Sequence, residues 1–476
     1  VLLVGLMATI GAVAVGGLLW ALAVAVVLVL LLALLVVRDR HHRSGVQRLS
    51  TRLGWARTRR SGSHLYRSGP LGRTPGGACQ LPGLAAGTQL SEWQDPTGRA
   101  FGLVTHPSTR HVTVVVAAEP DGASLVDQEQ VDVWVAHWGA WLAALGHEPG
   151  LVAAAVTVET APDYGNRLRR EIDTHLDPNA PSVALAMLEE VVRDHPSGSA
   201  TVTAYVALTF STAGRARGRN RSLEDVARDI GSRLPTLVGG LGATGAGAVR
   251  PVTAEELCEL VRVAYDPSAA PLLDEARAVG DPPDLRWSDV GPVAAEAGWG
   301  WYRHDGAVSV TWSMTAAPRG EVYSSVLGDL LAPHPDVDRK RVTLIYKPMD
   351  AAQAARLVEQ DRRNAHFRAA SASRPTARVV LEQGAAELTA EEEARGAGLV
   401  AFGMLVTATV AEADLLDDPR AAVEAARAAV DNLAATARSQ LRPVYGSQDS
   451  AFAAALPLGI VLDAHLAVPR EFRESL

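Results

Sequence analysis

The first 37 residues, Val1 to Val37, carry no charged side chain. A helix needs about 20 apolar residues to cross about 30 Å of hydrocarbon, so this run is too long for one untilted span. Gly11, Gly16 and Gly17 interrupt it and offer a place to turn. The pattern predicts two closely spaced transmembrane helices, near Val1–Val15 and Leu18–Val37. The first is short and the chain opens on Val, which points to a start lying upstream. A cleaved signal peptide would need a basic start, an apolar core of about 7–15 residues and a small-residue cleavage site; none is visible.

The residues after this run fix its expected orientation. Between Arg38 and Arg73 there are ten Arg and a single acid, Asp39. Without that segment the chain keeps 35 basic and 52 acidic residues, net −17, against −8 for the whole. A basic collar thus precedes an acidic body. Arginine beside a span end stays cytoplasmic and meets anionic headgroups. Arg38, Arg40, Arg43, Arg48 and Arg52 are therefore expected at a membrane surface, with the lipid bilayer as partner. The expected location is the inner (plasma) membrane, multi-pass, with the remaining 400 or so residues on the cytoplasmic side. Trp55 and Tyr66 sit among these bases and read as interfacial anchors or, with the Arg, as a nucleic-acid surface. The net charge gives no general reason to expect nucleic acid, and no direct nucleic-acid partner is expected.

Cys79 and Cys258 are the only cysteines and stand far apart. A disulfide framework is excluded, which fits a reducing compartment. Only Lys340 and Lys347 are lysines, a bias suggesting a GC-rich bacterial genome.

Residues 38–97 read as collar and linker, the part from Ser61 to Thr88 being rich in Gly, Pro, Ser and Arg. Two α+β modules follow. The first, 98–265, opens with strands at Phe101–Thr105 and His111–Ala118. A helix over Asp127–Leu145 has Val131, Trp134, Val135, Trp138, Trp141 and Leu142 at helical spacing. A strand at Val152–Glu159 and helices at Tyr164–Asp173 and Pro181–Asp194 come next. Val202, Ala204, Val206, Leu208 and Phe210 alternate in a strand. Ser222 caps a helix with Asp225 at its third position, and Ala248–Pro251 is a short strand before the last helix. A Pro-rich linker, 266–284, leads to the second module, 285–460, with a hairpin about Asp305-Gly306, a helix over Glu321–Leu331, strands at Val342–Lys347 and Leu399–Val410, and long helices between and after them. Residues 461–476 form a tail. The repeated element order predicts two ferredoxin-like (split βαβ) modules, membrane-anchored by the helical hairpin at 1–37.

Little points to catalysis. A phosphate-binding P-loop needs Gly-Lys-Ser/Thr, and Lys340 and Lys347 follow Arg339 and Tyr346. His147-Glu148 runs into Pro149, which breaks the helix a zinc motif requires. His41-His42 reads as a solvated pair rather than a metal site. The glycine run Gly239, Gly240, Gly242, Gly245, Gly247 follows a helix, so it reads as a connection and not a dinucleotide loop. Trp299, Trp301, Tyr302 and Trp312 read as cross-strand core packing. No catalytic residue, cofactor or metal site is expected.

Three stretches carry a family resemblance: Trp138–Leu145, Glu296–Gly306 and Tyr445–Gly459. With the paired spans and the collar, they resemble actinobacterial membrane proteins encoded beside PrgI-like and TrbE-like conjugation components, over nearly the whole chain. The last stretch is the most specific. It is similar to the end of the N-terminal domain of TrbE/CagE-type secretion ATPases, where Gln-x-x-x-Phe-x-x-x-Leu-Pro leads towards a motor domain that does not follow here. The resemblance implies a non-catalytic inner-membrane scaffold of a type IV secretion or conjugation-like apparatus, working with other membrane subunits and a separate ATPase. Tyr445, Gln448, Phe452, Leu456 and Pro457 become candidate partner-binding residues. Phe452 is expected to pack back on the second module and the tail after Pro457 to meet the partner. Two rival readings are an EccE-like membrane subunit of type VII secretion and a membrane-tethered enzyme. The latter would show a cluster of His, Asp or Glu in a pocket.

Overall fold

The computed structural model describes residues 43–465, apart from 71, 73, 121, 123–124, 164–171, 173–174, 178–179, 195–199, 214–220, 282, 319–321, 372–375 and 412–418, together with Leu22, Val26, Leu28 and Asp39. The strands are β1 (Leu65–Arg67), β2 (Gln89–Gln94), β3 (Ala100–His106), β4 (His111–Glu119), β5 (Leu151–Ala161), β6 (Thr201–Ser211), β7 (Ala248–Pro251), β8 (Ala294–Ala297), β9 (Tyr302–His304), β10 (Ala307–Ala316), β11 (Arg339–Pro348), β12 (Val400–Val410) and β13 (Gln440–Pro443). The helices are α1 (Gly45–Ser61), α2 (Gln128–Leu145), α3 (Ser182–Asp194), α4 (Leu223–Gly242), α5 (Ala254–Tyr265), α6 (Ala269–Val279), α7 (Gly328–Leu331), α8 (Ala351–Ser371), α9 (Ala377–Ala394), α10 (Pro419–Thr436) and α11 (Gln448–Ala455).

All thirteen strands belong to one sheet, ordered β1-β8-β9-β10-β12-β11-β5-β6-β4-β3-β2, with β13 also on β10 and β7 also on β4. Every pairing between these strands is antiparallel. This corrects the expectation of two ferredoxin-like modules. The reason lies at the seam. In separate modules β5 and β11 would each be an edge, with a row of unpaired N–H and C=O groups. Instead they pair from Lys340↔Thr160 to Tyr346↔Ala154, so the backbone groups of both strands are satisfied on both sides.

The membrane expectation is corrected too. The spans proposed at Val1–Val15 and Leu18–Val37 fall outside the described residues except at Leu22, Val26 and Leu28, as do Arg38, Arg40 and His41-His42. Among the described residues, no helix is long and apolar enough to cross a membrane. The longest, α8, carries Arg356, Glu359, Asp361, Arg362, Arg363 and Arg368. The multi-pass inner-membrane placement is therefore set aside.

The two sheet faces differ. One holds a single core running through both halves. It joins Val104, Val115 and Ala207 to Leu405, Tyr302 and Ala295 beneath α5, α11 and the strap at Leu81–Ala85. The other face holds two cores. In the first half, α2 and α4 lay Trp141, Leu145, Ile230, Leu234 and Leu241 on Val112, Val114, Val206 and Leu208. In the second half, α10 and α7 cover Val310, Trp312, Val342 and Val406 with Ala426, Ala429, Val430 and Leu330. Burying one large side chain stabilises by about 1.5–3 kcal/mol.

Local signals explain the element ends. Ser222 accepts from the Asp225 N–H at the start of α4. Thr253 and Glu256 form a capping box on α5, which satisfies two orphan N–H groups. Asp305 holds a positive φ of 44° in the tight turn joining His304 to Ala307. The expected helix Tyr164–Asp173 lies almost wholly outside the described residues. That at Glu321–Leu331 shortens to α7, and the Pro-rich 266–284 stretch contains α6.

Candidate functional site

Chemistry-bearing side chains gather on the single-core face, under the crossing of α5 and the C-terminal segment. His304 is fully buried at the end of β9. Its Nδ1 lies 2.6 Å from the Tyr265 carbonyl oxygen and its Nε2 2.8 Å from Ser309 Oγ. A carbonyl can only accept, so Nδ1 carries the proton and Nε2 accepts from the Ser309 hydroxyl. Ser309 Oγ in turn lies 2.7 Å from Thr409 Oγ1. Burial pushes the His304 imidazole down to about 4, so the ring is neutral at pH 7.

A hydroxyl against a carbonyl-oriented imidazole is the arrangement an activated serine requires. Here it has no open side. Ser309, Thr409 and His304 are all buried, and Phe452 packs tilted at 4.7 Å from the His304 ring, with Tyr302 and Tyr265 closing the cluster around Phe452. No substrate atom can reach the Ser309 oxygen in this arrangement, and the group braces the core.

The first half has a matching histidine. His106 ends β3 as His304 ends β9, is also buried, and is likewise pushed down to about 4 by burial. Its Nε2 donates to the Leu458 carbonyl at 2.7 Å. The bonds cross over. His106 in the first half holds the segment after α11, which belongs to the second half. His304 in the second half holds the end of α5, which belongs to the first.

Threonine pairs continue the brace across the sheet. Thr113 faces Thr209 at 3.1 Å, Thr157 faces Thr343 at 3.1 Å and Thr311 faces Thr407 at 3.0 Å. Thr343 donates to the Ala455 carbonyl and Thr209 to that of Gly459. Gly459 needs its glycine: φ is +70° and a Cβ would stand 2.2 Å from Thr113 Oγ1 and Thr209 Oγ1.

At the seam, Glu159 takes Arg339 on Oε1 and Arg341 on Oε2, the latter at 2.9 Å, all three side chains being buried. Burial works to raise the Glu159 carboxyl, but Arg341 and Arg339 outweigh it and hold it below the ordinary carboxylate range. The Arg341 guanidinium also lies 5.8 Å from the Phe452 ring centre.

The five candidate partner-binding residues separate into two groups. Gln448 is buried, and its amide pairs with β10 like a strand residue: Oε1 accepts from the Thr311 N–H at 2.8 Å, and Nε2 donates to the Thr311 carbonyl at 3.0 Å. Phe452, Leu456 and Pro457 are buried against this chain, and so are Leu458 and Ile460, where a partner-facing tail was expected. Tyr445 is half-buried and stacks on Trp299 at 5.6 Å, and Trp299 meets Trp55 of α1 edge-on at 5.4 Å. Arg59 sits over Trp55 and Arg442 over Tyr445. Burial, with Arg43 and Arg48 nearby, makes Arg442 less basic than usual. Of the arginines expected at a membrane surface, Arg48 pairs with Asp39 at 2.8 Å and Arg52 is exposed on α1. Trp301 and Trp312 enter one core and Tyr302 the other, while Trp299 leaves both.

One open cleft, about 550 Å³, lies between α4 and the β2–β3 turn. Gly239, Gly242 and Gly247 line it beside Val238, Asp95 and Arg99. The first two belong to α4 itself, so the glycine run is no loose connection. Asp95 is not available to a ligand. Burial disfavours its charge, but Oδ1 accepts from Thr97 Oγ1 and from the Thr97 and Arg99 N–H groups, which lower its pKa overall. Among the described residues no group of three or more His, Cys, Asp or Glu could hold a metal ion.

His106, Glu159, His304 and Arg341 were not singled out from the sequence. The one usable signal was Arg339-Lys340-Arg341 inside a strand. Alternation sends such a run to both sheet faces, and a buried member then demands a carboxylate.

Residues 1–47 match a family described as a domain of unknown function (DUF8461). No curated protein matches the chain.

Proposed function

We propose that this chain is a non-catalytic scaffold subunit of a type IV secretion-like apparatus and that it positions a separate ATPase. The observation that carries the reading is the closed brace. The Ser309–His304 pair is sealed under Phe452, and the His304 ring is spent on the Tyr265 carbonyl of the other half. A rigid sheet with exposed helices in its crossovers suits a positioning role. In the first half α3 leaves Val183 and Met187 mostly exposed, one helical turn apart. In the second half the β11–β12 crossover projects as α8 and α9. The similarity of Tyr445–Gly459 to the pre-motor segment of secretion ATPases supports the choice of partner. In this chain that segment serves as an internal stitch between the halves.

The test is co-expression with the conjugation-type ATPase encoded at the same locus, followed by purification and calorimetry. The expected result is a stoichiometric complex, with Mg-ATP bound by the ATPase and no heat of binding to this chain alone. Micromolar Mg-ATP binding to the isolated chain, or failure to recover the ATPase, would overturn the reading.

A further inference from the structure

Helices α8 and α9 pack chiefly on each other. Ala354, Val358 and Ala365 are buried between them, and His366–Glu387 at 3.3 Å and Arg368–Glu382 at 3.5 Å tie their sides. On α9 the half-buried Val379, Ala386 and Ala390 face α8. At 3.6 residues per turn, the opposite side of α9 carries Leu381, Gly384, Ala385 and Leu388. Leu381 is 74% exposed and Leu388 55%, with Val380 beside them at 55%. Nothing in the described chain covers this stripe.

The stripe has its own complement. Gly384 and Ala385 make a small-residue centre at which two backbones can approach closely. Leu381 stands four residues before Ala385 and Leu388 three after it. Arg378 lies seven residues before Ala385 and Glu392 seven after, on the same edge of the stripe; Arg378 also pairs with Glu382 of its own helix at 3.1 Å, an exposed pair of small worth that leaves the guanidinium able to reach further. A two-fold axis relating antiparallel helices turns each edge towards the same edge of its mate. It therefore sets Arg378 against the partner's Glu392, and Leu381 against the partner's Leu388. Isologous pairing of this kind is the commonest symmetry among homo-oligomers.

We propose that α9 is a self-association surface, through which a second copy of this chain docks antiparallel about Ala385. The occupant is a second copy because the leucines centre between Gly384 and Ala385 and the opposite charges centre on Ala385, so both sets are self-complementary about the same turn, a relation that a foreign partner would not require. The helix is about 27 Å long, so the contact sits at the low end of specific interfaces and associates weakly. The inference does not rest on the secretion reading.

The test uses the full chain in mild detergent, because residues 1–37 are uncharged and apolar. Ala385→Cys is oxidised at protein concentrations of about 1–300 µM, a range suited to weak association. The expected result is a disulfide-linked dimer that a control cysteine at the exposed Gln353 does not give. In the Ala385→Cys background, Arg378→Glu or Glu392→Arg alone lowers the linked fraction about five-fold, and the two reversals together restore it. Leu381→Glu with Leu388→Glu abolishes it. Circular dichroism of each variant checks that the fold is retained. Equal linking at Ala385 and Gln353, or no restoration by the double reversal, would overturn the proposal.

Discussion

The two halves of the sheet share a strand plan and differ in their helices. β7-β4-β6-β5 in the first half corresponds to β13-β10-β12-β11 in the second, and the halves meet at β5 and β11. On the two-core face, the first half has two long helices whose Trp141, Ile230 and Leu234 fill its core. The second half has α10, which packs mostly Ala, and a four-residue α7. Alanine brings α10 close to the sheet. The chain of the second crossover is released into the α8–α9 arm. The central strands β4, β5, β6, β10, β11 and β12, paired on both sides, admit few alternatives. A helix on the outer layer needs only one apolar stripe, so that layer is free to diverge and to offer surface.

If the halves are one unit, the seam should be the costliest place to cut. Glu159→Ala leaves Arg339 and Arg341 buried without their carboxylate, a loss of about 3–5 kcal/mol. Urea unfolding followed by tryptophan fluorescence should show that loss in a single transition. Two separated transitions in the parent chain would break the comparison by making the halves independent.

The matched helices α5 and α11 sharpen it. Phe452→Ala removes the ring that touches Tyr265, Tyr302 and His304, and should cost about 3–5 kcal/mol. Leu257→Ala on α5 should cost about 2–5 kcal/mol. Because Phe452 touches both halves and Leu257 belongs to one, combining Phe452→Ala with Glu159→Ala should be non-additive. Additivity within about 0.5 kcal/mol would show that the stitch acts on its own half alone.

Acid reports on both halves equally. His106 and His304 titrate near 4 when folded against an ordinary 6.5, so the unfolded chain binds more protons between those values. Their contribution is fully present above pH 6.5 and is lost as pH falls towards 4, about 3 kcal/mol for each. Glu159 adds a further loss at lower pH, as pH falls through its depressed pKa. His304→Gln should remove about half of the loss between pH 6.5 and 4, measured by denaturant midpoints. An unchanged acid profile would show that His304 is not buried neutral.

Much of this was legible from residues near one another in the chain. Alternation from Val202 to Phe210 marked β6, Ser222 with Asp225 marked the start of α4, and Asp305-Gly306 marked the turn between β9 and β10. Each depends on side chains and backbone within a few residues, so a local pattern carries it. The glycine run misled, because Gly239 and Gly242 remain inside α4 where packing overrides their weak helix propensity. The apolar start at Val1–Val37 suggested an anchor that no helix among the described residues supports.

Local sequence marks most of the central strands and the motif from Gln448 to Pro457, and it misses the short β1, β2 and β13. It did not determine what that motif touches. Backbone pairing of β5 with β11 leaves no mark on the alternation of either strand, since any two extended segments offer the same N–H and C=O groups. The histidine brace joins residues 39 and 352 apart in sequence, and only closure of the sheet brings each ring to its carbonyl. Tertiary structure therefore decided that two repeats became one sheet, and that the Gln448–Pro457 segment became the stitch between them.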